Sequence, residues 1–187
     1  LSTITIHSKF NKMKKVIIIF LVLFNISFAY CQEKPIDEVF TITLPKGTEK
    51  LTLQQFRDFS ATKFSHTTEY LADDLYYKNN GLGISFRNMS ESKIGKTSLE
   101  SQQKAMPAYL KMNNAITVID SKIITVNGIK FLIIKYKEYT DNFIRVTSDY
   151  DKNNRLLLGH IQYIDSDSTK ANQFLQDLLN SMHFKSI

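Results

Sequence analysis

Asp165-Ser166-Asp167-Ser168-Thr169 follows an apolar run and sets two carboxylates two residues apart. That DxDxT spacing suits phosphoryl transfer, in which the first Asp attacks and the second moves the proton. Such chemistry also needs a Lys and further carboxylates downstream to hold Mg²⁺. Only 18 residues follow Thr169, too few to supply them. The segment reads instead as the start of a helix, where acidic and hydroxyl side chains are favourable.

Other short patterns fail in the same way. Gly95-Lys96-Thr97 has the ending of a phosphate-binding loop, but the glycine required five residues earlier is Ser90. Ser60-Ala61-Thr62-Lys63 has the SxxK form of acylating serine enzymes, yet no Lys-Thr-Gly strand follows it. Asp149, Asp151 and Asn153 imitate the first half of a calcium loop. The sixth and twelfth positions would have to be Gly and Glu and are Asn154 and His160. His66, His160 and His183 lack an i,i+4 ligand partner and read as ordinary surface or core histidines. Tyr136, Tyr139, Tyr150 and Tyr163 could line a binding surface, though aromatic residues favour strands in any case. No catalytic, cofactor-binding or metal-binding residue is therefore assigned.

The formal charge of +6 suggests a nucleic-acid partner, but its distribution argues otherwise. Lys9, Lys12, Lys14 and Lys15 all precede the apolar run at the N-terminus. Without them the basic residues exceed the acidic ones by two. Cys31 is the single cysteine, which excludes an internal disulfide and any multi-thiolate metal site. Lys12-Met13-Lys14-Lys15 followed by Val16 to Phe24 has the form of a secretory signal peptide. Met13 is the natural initiator. Cleavage is expected after Ala29 or after Cys31, giving a signal over 13–29 or 13–31. Lipidation of Cys31 is the alternative, with Tyr30 standing where a lipobox prefers a small residue. The apolar run is short of a membrane span, so no stable membrane insertion is expected after cleavage.

These residues need elements to hold them. The expected organisation is upstream residues plus signal peptide over 1–31, a linker over 32–37, and one α+β domain over 38–187. Val39 to Leu44 alternates as a strand with Phe40, Ile42 and Leu44 on one face. Thr52 and Gln55 form a capping box opening a helix over 52–64, with Leu53, Phe56 and Phe64 as its stripe. The segment from Ser65 to Asn80 fits either type. Tyr70, Leu71 and Leu75 suit a helix, but Leu75-Tyr76-Tyr77 before Asn79-Asn80-Gly81 favours strand from Asp74 onward. Leu82 to Arg87 is its partner, with Ile84 and Phe86 inward. After a polar loop over 90–96, Thr97 and Glu100 suggest a second capping box for a helix over 97–112. Leu99, Met106 and Leu110 share its face, and Pro107 should kink or split it.

A four-strand meander follows at 115–126, 129–140, 143–150 and 155–165. Its first turn is Asn127-Gly128, the strongest short hairpin signal, and its last is Asp151 to Asn154. Phe131-Leu132-Ile133-Ile134 and Leu156-Leu157-Leu158 are apolar on consecutive residues, so both faces of these strands should be covered. The closing helix, over 168–182, carries a full stripe of Ala171, Phe174, Leu175, Leu178, Leu179 and Met182.

The strand ending Phe40-Thr41-Ile42-Thr43-Leu44-Pro45-Lys46-Gly47, the Val126-Asn127-Gly128-Ile129-Lys130 hairpin and the helix Phe174 to Phe184 together resemble the PsbP-like fold family. The resemblance covers about 38–187 and implies an α/β/α sandwich around an antiparallel sheet. It carries no catalytic signature. The family includes an extrinsic subunit of photosystem II and a factor that binds the GTPase Ran, so membership implies a small module that docks to another macromolecule. The expectation is thus an exported, non-enzymatic accessory or binding protein, secreted or periplasmic, with a protein partner in the cell envelope and no nucleic acid. The alternatives are a secreted small hydrolase whose site assembles only in three dimensions, and a lipid-anchored form held through Cys31.

Overall fold

Asn127 and Gly128 both take positive φ, 52° and 77°, as a two-residue hairpin turn demands. In the computed structural model they join β6 (Ile116–Val126) to β7 (Ile129–Glu138), with Val126 opposite Ile129. The structure describes residues 34–35, 40–65, 74–90 and 97–184, all within one compact unit, 33–187. The other elements, in chain order, are β1 (Lys34–Pro35), β2 (Phe40–Ile42), β3 (Glu49–Leu51), α1 (Leu53–Lys63), β4 (Leu75–Asn79), β5 (Leu82–Ser90) and α2 (Leu99–Leu110), with β6 and β7 next. They are followed by β8 (Asp141–Ser148), β9 (Arg155–Ile164), α3 (Ser168–Ser181) and β10 (His183–Phe184).

Seven strands form one antiparallel sheet in the order β3-β4-β5-β9-β8-β7-β6. The meander supplies one half and the β4–β5 hairpin the other. They meet where β5 pairs with β9, from Gly83 opposite Gln162 to Ser90 opposite Arg155. Phe131, Leu132, Ile133 and Ile134 are each at most 1% exposed, so β7 is covered on both faces. One face packs Phe131, Ile133, Ile144, Val146, Leu157 and Ile161 beneath the α3 stripe. The other carries Leu132, Ile134, Tyr136 and Phe143 beneath Leu99, Met106 and Leu110 of α2. On that second face α1 lies over the opposite end of the sheet, with the Phe56 ring 4.7 Å from that of Tyr76. Each large side chain buried in this way contributes about 1.5–3 kcal/mol. The expected α+β sandwich is therefore the architecture found.

Local details differ from the sequence reading. The strand expected over 39–44 runs from Phe40 to Ile42. It does not join the main sheet but sits between β1 and β10 in a three-stranded sheet of its own. Two residues of the expected linker, Lys34 and Pro35, thereby become strand. Thr97 does not cap α2. Ser98 does, its Oγ accepting from the Ser101 N–H at 3.1 Å. Pro107 does not split α2, which runs unbroken from Leu99 to Leu110, because it lies in the last turn, where little of the helix follows it. The third meander strand starts at Asp141, since the preceding turn is Tyr139-Thr140, with Tyr139 at φ 53°. The α3 start has no side-chain cap. The Asp167 carboxylate turns instead to two lysines. The leader, both cleavage positions, Cys31, Tyr70, Leu71 and most of the expected 90–96 loop lie outside the described residues. Among those described, no helix is long and apolar enough to cross a membrane.

Candidate functional site

The face beneath α1 and α2 is not packed evenly. Strand pairing places side chains in ranks across it, because directly opposed residues point to the same side. One rank is Ser85, His160, Arg145 and Ile134 on β5, β9, β8 and β7. The next is Arg87, Leu158, Thr147 and Leu132. Two arginines and a histidine thus share the middle of the sheet, between the regions that the two helices cover.

Their charges are handled differently. Arg87 is held by Asp74 through two hydrogen bonds, Nε to Oδ1 and Nη2 to Oδ2, the latter at 2.8 Å. His160 is pushed down to about 3, first by burial and then by Arg145 and Arg87, so it is neutral at ordinary pH. Tyr136 is raised to about 12, chiefly by burial, and stays protonated. Burial holds the Arg145 guanidinium below its ordinary range, and Arg87 pushes the same way. A guanidinium remains charged even so. Among the described residues Arg145 has no carboxylate partner, and its buried Nε donates to nothing. An unmet buried donor costs about 1–3 kcal/mol, and more when it is charged.

A cleft of about 300 Å³ opens beside it, lined by Met89, Thr97, Gln102, Ala105, Met106, Arg145, Thr147, Leu156 and Leu158. Its walls are mostly apolar. Thr147 is 2% exposed, and its Oγ1 also lacks a hydrogen-bond partner. Thr97 and Gln102 bring the N-terminal turn of α2, where backbone N–H groups carry partial positive charge, to the same cleft.

A second feature lies at the β6 edge of the sheet. Tyr109, Met112 and Tyr139 are 69%, 79% and 63% exposed. They share one corner, because Asn113 Nδ2 donates to Glu138 Oε1 at 3.1 Å and the Tyr139 N–H donates to the Ala115 carbonyl at 3.3 Å. Ile119, 58% exposed, stands at the bulge between Val118 and Asp120 further along the same strand.

The motif residues of the sequence do not gather into a site. Asp165 bonds Lys137 and Asn142. Asp167 pairs with Lys63 at 3.1 Å and Lys170 at 2.8 Å, so the SxxK lysine and the second DxDxT carboxylate hold α1 to the start of α3. Ser60 is fully buried one turn before Lys63. Asp151 accepts from the Arg155 side chain and closes the β8–β9 turn. Tyr136 stacks on Phe143, Tyr163 is buried, and Tyr150 sits beside the Thr97 N–H at 3.5 Å. His183 is exposed on β10, whereas His66, Gly95 and Lys96 lie outside the described residues. Ser85 stands opposite His160, but no hydrogen bond joins their side chains, and so weakly basic an imidazole is a poor activator of a hydroxyl. Among the described residues no cluster of three His, Cys, Asp or Glu side chains could hold a metal. The cleft escaped sequence reading because Arg145 lies inside the Phe143-Ile144-Arg145-Val146 run and reads there as a wet position of an alternating strand.

No family model and no curated protein matches the chain. Solved structures do share its architecture. LpqN of Mycobacterium tuberculosis, described as involved in cell envelope biogenesis, aligns at TM-score 0.50 and 10% identity, over 81% of this chain and 88% of that one. The cyanobacterial PsbP of Synechocystis sp. PCC 6803 aligns at 0.49 and 7%, over 78% and 86%. The Ran-binding protein Mog1p of Saccharomyces cerevisiae aligns at 0.47 and 10%, over 77% and 89%. The fold of this chain is PsbP-like.

Proposed function

We propose that this chain is an exported, non-enzymatic accessory protein that works by docking onto another protein of the cell envelope. The observation that carries the reading is the exposed corner of Tyr109, Met112 and Tyr139 beside β6, an edge strand of the main sheet among the described residues. Large apolar side chains exposed together at one place are typical of interaction surfaces. Lys122, exposed on β6, and the bulge at Ile119 make simple strand addition unfavourable, so side-chain docking at the corner is the expected mode. The basic and apolar leader supports export, and the PsbP-like fold agrees with a binding role.

Site-specific photo-crosslinking in intact cells tests this. A photoreactive phenylalanine at position 109 or 139 should give one discrete adduct with an envelope protein. The same group at Lys152, in the turn after β8, should not. Adding Met112→Asp should cut the adduct at least fivefold. Equal labelling from all three positions would sink the reading. Mass spectrometry of the mature N-terminus separates the released form, beginning at Tyr30 or Gln32, from a form acylated at Cys31.

A further inference from the structure

We propose that the cleft between α2 and strands β5, β9 and β8 binds a small organic monocarboxylate with an apolar tail, its carboxylate on Arg145 and Thr147. This site is separate from the corner proposed for docking, and neither proposal needs the other.

The charge inventory selects the headgroup. Arg87 is answered by Asp74, His160 and Tyr136 are neutral, and Arg145 is the one uncompensated charge at the cleft among the described residues. One negative charge therefore balances the site. A dianion such as a phosphate monoester would bury an excess charge. Arg145 lines the cleft and has no carboxylate partner among the described residues, and the planar edge of a guanidinium matches the two oxygens of a carboxylate. The unpartnered Thr147 hydroxyl supplies a further donor, and the α2 N-terminal turn adds favourable potential.

The walls select the tail. Met89, Met106, Leu156 and Leu158 surround the rest of the cleft. Methionine side chains adapt to ligands of varied shape, so the tail is specified by polarity and length more than by outline. A volume of about 300 Å³ is at the small end of ligand pockets, which span about 300–1,000 Å³. Ala105 is exposed where α2 borders the mouth, so the cleft is reachable from solvent.

The test uses the full-length purified protein and isothermal titration with octanoate, 1-octanol, octylammonium and inorganic phosphate. Octanoate should bind at least tenfold more tightly than any of the other three. Arg145→Met should weaken octanoate at least tenfold and bring octanol level with it, while Arg145→Lys should recover part of the loss. Thr147→Val should weaken octanoate several-fold. Ala105→Trp changes only an exposed helix position and should block the mouth, abolishing binding even if the Arg145 variants fail to fold. Octanol binding as tightly as octanoate, phosphate binding in preference to octanoate, absence of octanoate binding, or unchanged affinity in Ala105→Trp would each overturn the proposal.

Discussion

The two faces of the main sheet are built from the same strands and do different things. Beneath α3 the face is mainly apolar, from Leu82 and Ile84 on β5 to Phe131 and Ile133 on β7, with Asn142 and Ser148 buried among them, and the α3 stripe closes over it. Beneath α1 and α2 the cover is split. Leu99, Met106 and Leu110 of α2 reach the β6–β7 end, Phe56 of α1 reaches Tyr76 on β4, and the middle holds Arg87, Arg145 and His160. A single helix with a full stripe makes a sealed layer. Two shorter helices at opposite ends leave a gap, and the gap is where polar groups and a cleft survive. One face is closed along its length, and the other is covered at its ends and left open in its middle.

Phe131→Ala should produce the largest effect, since it empties a site that is 0% exposed in the sealed layer. The expected loss is about 3–5 kcal/mol by denaturant unfolding. Leu158→Ala, at the cleft wall, should cost about 2 kcal/mol, because the void it makes adjoins an existing opening. Equal losses would mean that the second face is packed as tightly as the first.

The next effect is a pH slope. His160 is about 3 in the folded protein against about 6.5 in an unfolded chain, with Arg145 and Arg87 facing it on the neighbouring strands. Below pH 6.5 the unfolded chain takes up a proton that the folded one refuses. Stability is therefore full above that pH and falls progressively toward pH 3. The loss is on the order of 4 kcal/mol. Thermal unfolding of His160→Gln should show a flatter decline between pH 7 and pH 4. An identical slope would place the acid sensitivity elsewhere.

The smallest effect has the opposite sign. Arg145→Met removes an unpaired buried charge without opening the sealed face. Stability should stay level or rise by about 1 kcal/mol. A loss above about 2 kcal/mol would show that the guanidinium is structurally paired, and the contrast between the faces would weaken.

Much of the architecture was open to reading from the chain alone. Asn127-Gly128 specified its turn because both residues tolerate positive φ. The unbroken apolar run Phe131 to Ile134 required cover on both sides. The α3 stripe named its own buried face, and all five of its helical members, Ala171, Phe174, Leu175, Leu178 and Leu179, are buried. These signals are local, so a window of a few residues contains them.

The cleft is not local. Two-residue periodicity says that Arg87, Arg145 and His160 each leave one side of a strand, but not that β5 pairs with β9 and β9 with β8. Whether a buried charge has a partner depends on side chains far apart in sequence, such as Asp74 for Arg87. The small β1-β2-β10 sheet joins the two ends of the domain for the same reason. Residue types and their spacing determined the strands, the turns and the closing helix, because those follow from backbone conformation and the alternation of polar and apolar side chains. Strand order, the gap between α1 and α2 and the unpaired guanidinium were decided only when distant segments packed, because charge balance and empty space belong to the assembled volume.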